Sequence, residues 1–160
     1  MKNIKKISLG ILLFVLSASI NVIAQQKTAT RSTKTKINDV AAKTRLLGSH
    51  RFSLQWISWD YFGKAVITDQ KGKLVIRGIQ RAKDGTDFVK IDGFIAEVNE
   101  NDFIFNGVIE VKVSHNNNGN ICKREGEMTF KITQNRRYWR LQEMQSPCGV
   151  ETDYVDVFFR

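Results

Sequence analysis

The chain has 160 residues, 42% hydrophobic and 26% charged, which suits one domain with a sizeable core. Its formal charge of +9 is unevenly spread, with +3 in residues 1–24, +5 in residues 25–48 and only +1 in residues 49–160. A near-neutral domain excludes nucleic acid as a partner on bulk charge, and the high pI belongs to the leader and the segment behind it.

Residues 1–24 read as a cleaved signal peptide. Lys2, Lys5 and Lys6 form a positive n-region, Ile7 to Ile20 an apolar core, and Val22-Ile23-Ala24 a cut site before Gln25. Ser8, Gly10, Ser17 and Ser19 interrupt the apolar run, so it is a poor membrane span, and the mature chain is expected not to cross a membrane. With no Cys near the cut, no lipid anchor is expected there. Export to the periplasm or beyond is therefore the predicted address.

Residues 25–45 comprise a basic, Thr-rich tether followed by a short helix. The stretch 25–36 lacks apolar periodicity and reads as a solvated tail. From Ile37 a helix is predicted, capped by Asn38 or Asp39, with Val40, Ala41, Leu46 and Leu47 turned to the core and Gly48 ending it. Residues 46–160 form the predicted barrel domain.

From His50 onward, period-2 patterning predicts strands at 50–58, 63–69, 72–81, 86–98, 102–115, 121–133, 136–144 and 152–160. The clearest hairpin sets Phe103, Phe105, Gly107, Ile109, Val111, Val113 and His115 on one face. Its partner strand sets Cys122, Arg124, Gly126, Met128, Phe130 and Ile132 on one face. The opposite faces carry Glu110, Lys112, Glu127 and Lys131, which excludes a lipid-facing outer wall. The predicted fold is all-β, an eight-stranded antiparallel up-and-down barrel with its core inside, and a two-sheet sandwich is the alternative.

A meander places the longer links at one end, around Trp59, Tyr61, 81–85, 116–120 and 145–151, and the tight hairpins at the other. Leu46 and Leu47 are placed to plug the hairpin end. Such a barrel is either filled by side chains or holds one small ligand. Cys122 and Cys148 form the predicted disulfide, closing 26 residues, and an exported address favours this over metal binding. His50 and His115 are far apart and no C-x-x-C occurs, so no metal site is predicted.

The meander, the short preceding helix and the segment Leu46-Leu47-Gly48-Ser49-His50-Arg51-Phe52 resemble the lipocalin-like, or calycin-like, barrels. Their opening L-x-G-x-W has its counterpart here, with His50 where Trp is usual. The resemblance implies binding of a small apolar or amphipathic molecule and transfers no ligand residue.

Four residues are the candidate ligand-binding set. Trp59 and Tyr61 fall at the first long turn, where exposed aromatics point to a ligand or partner. His115 and Arg124 lie at the loop end of the long hairpin, either reaching water or forming an anion anchor with the Arg124 fork. Phe52, Trp56, Phe103, Phe105 and Phe130 read as core filler. Asp153 and Asp156 read as an exposed polar face of the last strand. With no nucleophile–base pair and no Gly-rich phosphate loop, neither an enzyme nor a cofactor is predicted. The leading expectation is an exported protein holding a small apolar or amphipathic ligand inside the barrel. The alternative is a periplasmic protein-binding module, an inhibitor or envelope-assembly factor.

Overall fold

The computed structural model describes residues 34–160. The leader and residues 25–33 of the tether lie outside the described residues.

After a two-residue β1 (Lys36–Ile37), eight strands alternate in direction: β2 (Gly48–Leu54), β3 (Gly63–Gln70), β4 (Lys73–Arg81), β5 (Phe88–Val98), β6 (Asp102–Lys112), β7 (Cys122–Lys131), β8 (Tyr138–Leu141) and β9 (Val155–Phe158). Each pairs with its neighbour in sequence, and β2 pairs with β9, so every strand has two partners and the sheet closes on itself. Closure removes the edges that a sandwich would leave. The expected eight-stranded up-and-down barrel is the fold.

The segment expected to be a tail joins the barrel earlier than its composition suggests. Thr35 is buried, donating from Oγ1 to Ile95 O at 2.6 Å and accepting from Leu74 N at 2.8 Å. β1 (Lys36–Ile37) then runs parallel to the end of β5. Backbone pairing of this kind needs no apolar periodicity, so the polar composition conceals it.

Helix α1 (Val40–Leu46) follows. Asp39 caps it by accepting from Ala42 N at 2.6 Å. Ala42 and Leu46 are buried in the core and Leu47 packs against it, so the helix covers the tight-hairpin end. Val40 and Ala41 point outward instead, Val40 being 74% exposed. At this spacing 42 and 46 share one helix face and 40 cannot join them.

The interior is filled. Phe52, Leu54, Leu74, Ile76, Phe103, Phe105, Phe130, Leu141, Val155 and Val157 are all 0% exposed. Phe103 and Phe130 stack at 5.0 Å, and Trp139 and Phe105 meet these rings edge-on at 5.9 and 6.1 Å. The Phe105 ring lies over Gly93 and Gly107, where a Cβ at either position would come within 2.6 Å of it. A void admitting water would leave accessible surface on its walls, and these walls have none.

The first barrel strand ends at Leu54, not at 58. Ile57 N donates to Leu54 O at 3.0 Å and turns the chain out of the wall. Trp56 therefore leaves the core expected for it and is 36% exposed. The last two strands are also shorter than their patterning, at four residues each.

Candidate functional site

The long-loop end is shut by polar groups. Arg124 sits on the inward face of β7, with its side chain 6% exposed and that of Asp153 3% exposed. Its Nη2 donates to Asp153 Oδ2 at 2.8 Å and to Gln145 O at 3.0 Å, and Nε donates to Glu143 O at 3.3 Å. Trp56 Nε1 donates to the other Asp153 oxygen at 3.0 Å. The Trp56 ring meets exposed His115 edge-on, 6.1 Å between centroids. One chain of contacts thus runs from His115 through Trp56 and Asp153 to Arg124 and the 143–145 backbone. Cys122 and Cys148 form the expected disulfide, Cα–Cα 5.9 Å, and tie the same loop to β7.

Arg124 therefore neither reaches water nor stands ready for an anion, because Asp153 already neutralises it. The exposed polar face expected of Asp153 and Asp156 is absent: they are 2% and 0% exposed. Each lies against an arginine, Arg124 and Arg140 respectively. Arg140 grips Asp156 through Nε and Nη2 at 2.8 and 2.7 Å. Burial pushes the Asp156 carboxyl above its ordinary value against the pull of that guanidinium, while the pair raises Arg140.

Tyr61 anchors its loop. Gln80, buried, accepts from Leu54 N at 2.7 Å and donates to Tyr61 O at 3.0 Å. Tyr61 Oη accepts from Lys83 N at 3.2 Å. Trp59 lies at the tip of the same loop, 57% exposed. The structure thus joins His115 to Arg124 through Trp56 and Asp153, and leaves Tyr61 and Trp59 outside that chain of contacts.

Five large hydrophobic side chains are exposed among the described residues, and four belong to the long loops: Trp56, Trp59, Ile121 and Val150. The fifth, Val40, is on α1 at the far end. Beside the rim, an open groove of about 330 Å³ runs between β7 and the 143–147 stretch, lined by Met128, Glu143 and Pro147 among others. No group of three metal-ligating side chains occurs among the described residues. His50 is buried at the opposite end, its ring nitrogens 2.8 and 2.7 Å from Phe158 O and Leu46 O. Among the described residues, neither histidine pairs with a carboxylate. The rim offers apolar contact surface without a nucleophile–base pair.

Residues 34–159 match the PM1083 family, a span that covers the barrel from β1 to the end of β9. The chain belongs to the PM1083 family. It is 43% identical over 140 residues to uncharacterized protein PM1083 of Pasteurella multocida (strain Pm70), covering 88% of this chain and 87% of that protein. No solved structure matches it.

Two rim residues of this PM1083-family barrel escape sequence reasoning, Trp56 and Asp153. The signal for Asp153 is Arg124 itself, since a buried arginine must be paired and hydrogen-bonded. The signal for Trp56 is weaker: the strand pattern runs through it, and only the local turn at Ile57 removes it from the wall.

Proposed function

We propose that this PM1083-family barrel is an exported binding module that engages a protein partner through the long-loop rim. Trp56, Trp59, Ile121 and Val150 carry the reading, because four of the five exposed large hydrophobics of the described residues collect on the loops of one end. Aromatic anchors of this kind dominate protein interfaces. The disulfide and the signal-like leader support a periplasmic or extracellular address. The lipocalin-like resemblance then concerns architecture: a filled interior, sealed by Arg124 and Asp153, weighs against an internal apolar ligand.

Photo-crosslinking reads this directly. A crosslinking residue is placed in turn at Trp59, Ile121, Val150 and, as a far-end control, Val40. The expected result is the same discrete protein adduct from the three rim positions and none from position 40. Identical adduct patterns from all four positions, or none from any, would refute the rim as the interface.

A further inference from the structure

The near-neutral charge of the domain hides how that charge is distributed. Six arginines gather where β2, β9 and β8 lie side by side: Arg45 at the end of α1, Arg51 on β2, Arg136 and Arg137 before β8, Arg140 on β8, and Arg160 after β9. Ring contacts and backbone bonds hold them together. Arg51 lies 4.6 Å over Phe62 and 5.1 Å over Phe158, and Arg136 lies 5.7 Å over Tyr138. Arg45 lies 5.4 Å over Phe159, whose N–H donates to Arg137 O at 2.9 Å. Arg160 Nη2 donates to Thr44 O at 3.3 Å.

Arg140 pairs with the buried Asp156, whose charged form Arg136 also favours from beyond ion-pair distance. Among the described residues, no Asp or Glu lies within ion-pair distance of the other five. Exposed Lys64 adds to the charge, directly opposite exposed Arg51 in the β2–β3 ladder. Like charges set opposite one another repel, so this wall is assembled against its own electrostatics. The wall of β4–β7 behaves differently, since Arg77 pairs with Asp92 and Glu110 takes both Lys90 and Lys123.

Four strands side by side, from Lys64 to Tyr138, spread the charge over about 14 Å at ordinary strand spacing. That breadth suits a planar array of anions better than one small ion. The rings between the arginines, Phe62, Phe158 and Tyr138, are half-buried and hold the guanidinium planes over their faces. Guanidinium forks match phosphate oxygens, and a tyrosine ring such as that of Tyr138 favours headgroup depth. We infer that the β2–β9–β8 wall and the adjoining end of α1 dock on an anionic phospholipid surface. The inference is independent of the rim and its partner.

Co-sedimentation tests it, using the chain from Gln25 onward, as the predicted cut leaves it, so that the basic residues 25–36 are common to every variant. Vesicles of phosphatidylglycerol with phosphatidylethanolamine are compared with vesicles of phosphatidylcholine alone. Arg51→Gln/Arg137→Gln/Arg160→Gln should lower affinity for the anionic vesicles by about tenfold or more. The corresponding triple Lys variant, which keeps the charge and loses the fork, should fall between wild type and the Gln set in affinity. The charge-matched set Arg81→Gln/Lys83→Gln/Lys112→Gln should change it little, and thermal melting should show all three variants folded. Equal loss in both Gln sets would reduce the effect to bulk charge and overturn the inference. So would unchanged binding in the first set, or wild-type binding abolished by millimolar inorganic phosphate at constant ionic strength, which would mark a free-phosphate site.

Discussion

At the tight-hairpin end the barrel is closed by Ala42 and Leu46, the apolar face of a seven-residue helix. At the long-loop end it is closed by a buried arginine, a buried aspartate and a buried glutamine, with a disulfide alongside. The apolar plug needs only volume and shape. The polar lock needs every partner, because each charge is tolerable in the interior only while the other is present. The difference bears on the proposed function, since the polar lock leaves a rim whose loops are held in place while Trp56 and Trp59 stay exposed.

Substitutions can break this contrast, the largest effect first. Arg124→Met removes one half of the lock and strands Asp153, and should cost about 3–5 kcal/mol in urea unfolding. Arg124→Met/Asp153→Leu should recover most of that loss, which a purely packing role for Arg124 would not allow. At the other end, Leu46→Ala should cost about 3 kcal/mol, with no second substitution of comparable simplicity to rescue it. Cys122→Ser/Cys148→Ser should cost about 2–3 kcal/mol on the loop-entropy account. Its hydrogen exchange should rise in residues 142–154 and not in α1.

The smallest effect is a titration. Lys123 and then Lys90 hold the Glu110 carboxyl below the ordinary glutamate value, whereas burial holds Asp156 above the ordinary aspartate value. Glu110 therefore contributes stability that is present above its unfolded value and lost as pH falls through its lowered folded value. Asp156 has the opposite sign, and its burial cost is relieved as pH falls through its raised value. Carboxyl NMR should show Asp156 titrating above the ordinary aspartate value and Glu110 below the ordinary glutamate value. Asp156 titrating below its ordinary value would mean that Arg140 outweighs burial.

The strands, the helix, the disulfide and the closed meander were legible because each leaves a periodic or positional mark, such as the alternation of Phe103, Phe105 and Ile109 against Glu110. A filled interior was not, since Phe105 or Phe130 would read the same lining a cavity as packing one. The burial of Asp153 and Asp156 was hidden for another reason. Both alternate with apolar residues as surface positions do, and their partners Arg124 and Arg140 are 29 and 16 residues away. The arginine wall was hidden most completely. It joins α1, β2, the turn before β8 and the chain beyond β9, which only barrel closure brings together, so a sum over the domain cancels it.

The proposed surface function requires a barrel that carries nothing inside. Native mass spectrometry of the protein purified without detergent from the cells that make it tests that directly. The predicted result is the polypeptide mass with one disulfide and no stoichiometric small molecule. A retained organic ligand of fixed mass, lost on Phe105→Trp or Phe130→Trp, would contradict a filled barrel.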